Sequence, residues 1–460
     1  MQQRKIGLEY EFLAVQKENG EAVTRDIMKA IWRDWSEQPH VILYTDPATR
    51  QPVGVIYRQK DGQEVIVNTD AGIDVVEFGF LPFTMLKDCE QNMRGILKEF
   101  LAVAARHGAV LLSYGMQPKT PSFFPDLKTE KIWYRGFLRF EGLAMRHSFA
   151  HNIAAHQPCI DVTYDELIPA LNILNGLSGV VIALFANSGW GELRAQCCHE
   201  EREHRWNQWS EGSGERVAFS GIPRAPFNNL VDYLKLNWSI PVRAVHRGGS
   251  LLSIWPAPTI HAYLHGKEFP ALYLATQETT VVRPTMEDVN MLAQYLWIQA
   301  RAKFIFDESL PLADFLRAYD RGTVDDLARA HLTKLYVETR NIACQSWREV
   351  MAAPAFLLGL IENKDEALRM VESKSWRFWR ALREKTLKKS MQVDGVIPLA
   401  QQIVEIAQKG LQARGKGEEQ YLAPLFDRIE RRESPAMRAA AALEARNAQP
   451  FLAQEMIVVE

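Results

Sequence analysis

Cysteine is scarce in this chain. Its 460 residues carry five, Cys89, Cys159, Cys197, Cys198 and Cys344, too few and too scattered for a disulfide framework. No stretch reaches the ~20 apolar residues that a membrane span needs, and Met1-Gln2-Gln3-Arg4-Lys5 leads into a strand pattern rather than a signal sequence. These features predict a cytoplasmic, reduced protein with no membrane partner. A formal net charge of −2 supplies no field that would hold nucleic acid non-specifically. There is no Walker-type phosphate loop, dinucleotide fingerprint or nucleophile elbow, so Ser/His/Asp or Cys/His catalysis has no anchor. His147, His151, His156, His204 and the run Cys197-Cys198-His199 match no zinc spacing, and no structural zinc site is expected from them. Internal repeats and low-complexity linkers are also missing.

What is present is an ordinary globular composition, 47% apolar and 24% charged. Length alone would allow two to four domains. Without a linker, the pattern predicts one catalytic domain over 1–445, sheet-rich to about 345 and helical over about 346–445, followed by a C-terminal tail over 446–460. Asp61-Gly62 predicts a turn between the β-rich runs Val53–Tyr57 and Glu64–Asn68. A strand at Val75–Phe80 should stop at Pro82. Met93, Ile96, Leu97, Phe100, Leu101 and Ala104 predict an amphipathic helix over 84–107. Further helices are expected at Thr24–Ser36 and from a cap at Asp165 to about Ala186. Residues 188–229 read as irregular, helical patterns dominate 285–330, and Leu332–Arg340 reads as a strand. Strand pairs followed by many helices give an α+β class, a largely antiparallel sheet backed by helices.

The chemistry begins in the first strand. Alternation puts Ile6, Leu8, Tyr10 and Phe12 on one face and Gly7, Glu9, Glu11 and Leu13 on the other. Two carboxylates roughly 6.5–7 Å apart along a strand cannot share a proton, but they can bracket divalent cations. A half-exposed edge strand with its charges in water is the other reading. Asp70 and Glu77 recur on the next strands, and Glu77 stands in the apolar run Val75-Val76-Glu77-Phe78, where an unpaired carboxylate is costly. Glu338 and Arg340 share a strand face, either as a structural ion pair or as a metal ligand beside a phosphate clamp.

Read together, several segments resemble the glutamate–cysteine ligase family, most closely its plant-type branch and related bacterial enzymes. Ile6-Gly7-Leu8-Glu9-Tyr10-Glu11 is similar to the family's opening "IGxExE" strand, and Gly115-Met116-Gln117-Pro118-Lys119 to its "GxQPK" loop. Met145-Arg146 with Gln157 and Asp161 resembles its "MRRTCTVQVNLD" strand. Ala183-Leu184-Phe185-Ala186-Asn187-Ser188 resembles "AxFANSP", and Arg202 to Trp206 keeps the "RxxxW" spacing. Tyr336-Val337-Glu338-Thr339-Arg340 is similar to "YLEMR", and Ala353 to Leu360 to "LPAFWVGL". The resemblance implies a glutamine-synthetase-like fold whose concave sheet holds Mg²⁺ (or Mn²⁺) and ATP. It implies metal ligands at Glu9, Glu11, Glu77, Glu338 and Asp70, with Arg340 and Arg202 as fixed positive charge. Gln157 and Asn187 would join the two arginines in binding the nucleotide and metals. The implied reaction passes the γ-phosphate of ATP to the γ-carboxylate of glutamate, after which the amine of cysteine or another amino compound attacks. That γ-glutamyl amide formation belongs to glutathione biosynthesis.

The chain departs from the family in places. "LEPGGQFELSG" becomes Thr69-Asp70-Ala71-Gly72-Ile73-Asp74-Val75-Val76-Glu77-Phe78-Gly79, with one glycine lost, an acid shortened to Asp70 and one residue inserted before Glu77. The stretch between Met145 and Gln157 is longer and carries His147 and His151. These changes fall where the amine would be chosen, so an amine other than cysteine stays open. Transfer of phosphate to a non-carboxylate acceptor and a binding homologue without turnover are the alternatives.

Overall fold

A computed structural model describes residues 4–120, 130–132, 134, 152–191, 194–195, 198–212, 220–242, 244–443 and 448–459. The Met145-Arg146 pair, His147, His151 and Cys197 lie outside the described residues. The main sheet is built from β1 (Ile6–Gln16), β2 (Val41–Thr45), β3 (Pro52–Arg58), β4 (Glu64–Thr69), β5 (Val75–Phe83), β6 (Ala109–Leu112) and β7 (His156–Asp161). A short ribbon, β8 (Trp190–Gly191) with β9 (Arg194–Ala195), and a four-stranded meander, β10 (Ala244–Arg247), β11 (Ser250–Ile254), β12 (Phe269–Tyr273) and β13 (Thr279–Val282), follow. Finally β14 (Ala300–Phe306) and β15 (Leu332–Thr339) return to the main sheet, whose order is β14-β15-β7-β1-β5-β4-β3-β2, with β6 also on β1. Its pairings are antiparallel throughout. The α+β class holds.

β1 is central because its alternation serves two environments. Ile6, Leu8, Tyr10 and Phe12 are buried against the helical layer, and Glu9 and Glu11 face the other way. The helix Leu86–Arg106 packs on the apolar side through Met93, Ile96, Leu97 and Phe100. β5 runs through Pro82 to Phe83 instead of stopping. The proline occupies a register shift, where Leu8 faces Phe80 and Ile6 faces Phe83, so no ladder hydrogen bond is lost to it.

Several expectations are corrected. The helix expected from Asp165 starts at Tyr164, and Thr163 forms its capping box with Glu166, the Thr163 N–H donating to the Glu166 carboxylate at 2.9 Å. It is not continuous to Ala186. It breaks after Gly176 and bends by 53° into a second helix, Ser178–Phe185. Residues 188–229 are not all irregular, since Glu201–Gly212 is a helix. The 285–330 region contains β14. Among the described residues no single helix is long and apolar enough to cross a membrane.

The C-terminal helices lie behind the sheet. Ala352–Glu362 crosses Val396–Arg414 at a point where Gly359 meets Gly410. A Cβ at Gly359 would stand 2.3 Å from the Ala407 carbonyl, and one at Gly410 2.1 Å from the Gly359 carbonyl. Only glycine permits that approach. Residues 448–459, within the segment expected as a tail, also dock on this body. Phe451 meets Tyr114 edge-on at 5.0 Å, and the Ile457 N–H donates to the Leu111 carbonyl at 2.9 Å.

His156 sits on the apolar side of β7, its ring stacked on Tyr10 at 3.9 Å, and its Nε2 has no hydrogen-bond partner. Burial, with the nearby Arg202 charge, lowers its pKa to about 3. The unfolded chain protonates this ring near ~6.5, so its contribution to stability is full above that pH and drains as the pH falls toward 3. Urea unfolding of the wild type between pH 6.5 and 4.5 should therefore lose up to about 1.4 kcal/mol per pH unit more than unfolding of His156→Gln. Equal slopes would contradict this assignment.

Candidate functional site

Antiparallel register brings the charged residues of the sheet's polar face into rows. Arg301 on β14 stands opposite Glu338 on β15, which stands opposite Cys159 on β7. Gln157 faces Glu9, and Glu9 faces Gly79 on β5. Glu11 faces Glu77, which faces Asn68 on β4. Thus strands far apart in sequence deliver Glu9, Glu11, Glu77, Gln157, Glu338 and Arg340 to one surface.

The two sides of this surface differ in charge. On the β5 side, Glu11 is buried and held by two hydrogen bonds, from the Ala155 N–H at 2.7 Å and Gln157 Nε2 at 2.9 Å. Burial, then the like charges of Asp70 and Glu77, push its pKa well above the usual carboxylate range. Asp70 Oδ1 accepts a hydrogen bond from the Tyr134 hydroxyl at 2.5 Å. On the β14 side, Glu338 is surrounded by cations. Arg301 lies at 2.7 Å, Lys303 at 2.9 Å and Arg340 Nη1 at 2.8 Å. Burial alone would raise the pKa of Glu338, but Arg301, Lys303 and Arg340 outweigh it and hold the group far below its ordinary value. Glu9 stands between the two sides. Burial and Glu338 raise its pKa, while Lys303, Arg301 and Arg340 oppose them.

Arg340 and Gln157 join the two sides. Arg340 Nη1 donates to Gln157 Oε1 at 2.7 Å as well as to Glu338, and the Gln157 amide donates on to Glu11. A continuous chain Glu338–Arg340–Gln157–Glu11 results. On the same polar face opens a cavity of ≈ 710 Å³, lined among others by Glu9, Glu77, Asn68, Lys131, Lys303 and Tyr336. That size suits a nucleotide-scale ligand.

The donor set fits divalent cations. Glu11, Asp70 and Glu77 offer hard oxygen donors, and the charges of Asp70 and Glu77 both bear on the buried Glu11. Ligand atoms of Glu9, Cys159 and Glu338 also lie within 4.8 Å of one another. Two further expected residues are anchored elsewhere. Arg202 is buried between Glu200, at 3.1 Å, and Glu203, at 3.0 Å, and reaches the site through a 3.0 Å hydrogen bond to the Arg340 carbonyl. The Asn187 amide donates to the carbonyls of Ser113 and Cys344 at 2.7 and 2.8 Å, tying backbone segments together.

Sequence reading missed Arg301, Lys303 and the placement of Cys159. The signal for the first two was present: in Ala300-Arg301-Ala302-Lys303-Phe304, small or aromatic residues alternate with charge, a period of two. Cys159 had its signal in the alternation after Gln157 on β7.

Glu203 holds the guanidinium cluster under the site, accepting from Arg383 at 2.8 Å and Gln299 at 2.7 Å while pairing with Arg202. Burial would raise its pKa, yet Arg202 and Arg383 keep it low. Replacing it with Gln leaves two buried cations short of charge. Denaturant unfolding of Glu203→Gln should show a loss of about 3–5 kcal/mol; a change within 0.5 kcal/mol would mean that the arginines are balanced by other groups.

The profile of glutamate-cysteine ligase family 2 (GCS2) matches residues 5–450. No curated protein matches the chain in sequence at a significant level. Among solved structures, the chain is similar to glutamate–cysteine ligase from Francisella tularensis in complex with AMP. That likeness has 11% identity and a TM-score of 0.54, and covers 98% of this chain and 87% of that one. It is also similar to a bifunctional glutathione synthetase from Pasteurella multocida, with 12% identity, a TM-score of 0.52 and 98% of this chain covered. The chain spans about half of that protein, 52%. At such identities the likeness concerns the fold.

Proposed function

The chain belongs to glutamate-cysteine ligase family 2, and from that premise we propose that it is an ATP- and Mg²⁺-dependent ligase of the glutamate–cysteine ligase type. It would activate the γ-carboxylate of glutamate, or a similar carboxylate, and join it to the amine of cysteine or another amino compound. One observation carries the reading: a single sheet face bears an acidic half suited to divalent cations and, across the intervening strand β7, a fixed cationic half suited to phosphate and carboxylate.

Each residue has a part in that chemistry. Glu9, Glu11, Asp70 and Glu77 would hold Mg²⁺, with Glu338 sharing the Glu9 end. Bound there, the ions would neutralise phosphate charge and align ATP with the acceptor carboxylate. Arg301, Lys303 and Arg340 present cations to the anionic groups that enter the cleft. Gln157 fixes Arg340 against Glu11, so cationic and acidic groups keep their spacing without reorganisation during the reaction. Arg202 acts from beneath, positioning the Arg340 backbone. Asn187 serves the nucleotide and metals indirectly, by bracing the Ser113 and Cys344 segments. In the proposed reaction the carboxylate oxygen attacks the γ-phosphorus, ADP leaves, and the amine nitrogen then displaces phosphate from the acyl carbon to form the amide.

The test is incubation with ATP, Mg²⁺, glutamate and a panel of amines that includes cysteine, following ADP and identifying the product. ADP with an amide product is expected. A stable phosphorylated acceptor would instead assign a phosphotransferase, and no ADP with any amine would refute turnover. In the same assay Glu11→Gln should lower kcat by at least 100-fold while the far-ultraviolet spectrum stays that of the wild type. Undiminished turnover in this variant would remove Glu11 from the metal set.

A further inference from the structure

A second cluster of ligating side chains lies outside this cleft, on the surface near the four-stranded meander. His261 belongs to the short helix Ile260–Leu264 and His265 caps its end, so the two stand one turn apart on the same face. Their rings stack with centroids 4.2 Å apart and an interplanar angle of 22°. Asp320 comes from another helix, Leu312–Arg321, and its Oδ1 is 3.1 Å from His265 Nε2. One ligand atom from each of His261, His265 and Asp320 lies within 4.8 Å of the other two, and all three residues are exposed.

The hydrogen bonding of His265 adds an independent observation. Its Nδ1 lies 3.0 Å from the His261 carbonyl oxygen, an acceptor, so Nδ1 carries the proton and donates. In the neutral ring Nε2 then holds a lone pair, yet Nε2 faces a carboxylate oxygen. Two lone pairs facing each other at 3.1 Å require a positive charge between them, a proton or a metal ion. A histidine whose far nitrogen is fixed by a backbone carbonyl is the usual second-shell arrangement of a metal-binding imidazole. Beneath the pair lie Trp238, with ring centroids 6.4 and 6.3 Å from the two histidines, and Tyr319, at 5.9 and 6.1 Å. This aromatic floor restricts both rings to the outward side.

We propose that His261, His265 and Asp320 form a binding site for a borderline transition-metal dication of the Zn²⁺ class, distinct from the Mg²⁺ positions of the cleft. Two imidazoles and one carboxylate match zinc, cobalt or nickel and are a poor set for Mg²⁺, which prefers oxygen donors throughout. Tetrahedral zinc at ~2.0–2.1 Å from its ligands brings donors within roughly 3.3 Å of each other. Small rotations of these exposed side chains close that gap, and water completes the fourth position. The bound ion cross-links the helices Ile260–Leu264 and Leu312–Arg321. The first of these packs on Met286–Leu292, whose Glu287, Asn290 and Met291 line the cleft. Occupancy therefore stiffens one wall of the cleft.

The whole chain is tested with Mg²⁺ in saturating excess, so that carboxylate sites are filled before the second metal is added. Zn²⁺ titrated into the wild type by calorimetry should bind with a stoichiometry of one. Co²⁺ should give the intense visible bands of a tetrahedral ion, and Zn²⁺ should raise the Tm. His261→Ala and His265→Ala should each weaken binding at least tenfold and abolish the cobalt bands, while their Tm without zinc stays at the wild-type value. Asp320→Asn should weaken binding and shift the bands. Absence of Zn²⁺ binding in the wild type, or unchanged binding in either histidine variant, would overturn the site. Unchanged binding in Asp320→Asn would overturn the three-ligand assignment.

Discussion

Repulsion between carboxylates on one sheet face is the constraint on which the rest of this structure depends. Two such groups about 5 Å apart, as cross-strand neighbours are, oppose each other by roughly 3 kcal/mol at an effective dielectric constant near 20. Glu11 and Glu77 are such a pair, with Asp70 close by. A sheet can carry that cost only when its other face is strongly stabilised. Here the other face supplies Ile6, Leu8, Tyr10, Phe12 and Phe78, all buried beneath the helical layer. The helix crossing at Gly359 and Gly410 brings two backbones of that layer together without intervening side chains.

The charge is also graded across the sheet. Three cations surround Glu338 at one side, while the carboxylates at the other face one another. The link between them, Arg340 to Gln157 to Glu11, is made of planar groups with fixed donor directions, so it transmits position better than flexible lysines would. Beneath it a wholly buried ionic layer of Arg202, Glu200, Glu203 and Arg383 supports the Arg340 backbone. The polar face is thus held in depth, and burial of these charges is tolerated because each one has a partner.

Much of this was legible in the residues. The two faces of β1, the hairpin across Asp61-Gly62 and the strand carrying Glu338 and Arg340 follow from period-two alternation, which local sequence records faithfully. β14 was hidden because its inward residues include Ala300 and Ala302, which suit helices as well, and helical stretches flank it. The bend after Gly176 was hidden because the last turn of the first helix, Ile173–Gly176, and the whole of Ser178–Phe185 are buried, leaving no change of pattern at the joint. The helix Glu201–Gly212 lacks an apolar stripe; its Arg202 and Glu203 are buried through ion pairs, which periodicity cannot register. The His261, His265 and Asp320 group escaped a reading by spacing because its third member comes from another helix, 55 residues beyond His265.

The central position of β1 also has a consequence for synthesis of the chain. β1 is made first, yet one of its partners, β7, pairs through Ile160 with Ile6, and β7 in turn awaits Val337 on β15. At ordinary translation rates β1 leaves the ribosome roughly 10–30 s before β7 is available. β5 can pair with one side of β1 earlier, but during that interval the side that will face β7 is an open edge, the kind of segment that recruits other chains. Glu9 and Glu11 alternate with its aromatic residues, so two nascent copies laid side by side would place like charges together. The same carboxylates that charge the finished polar face therefore protect the strand while it waits for β7.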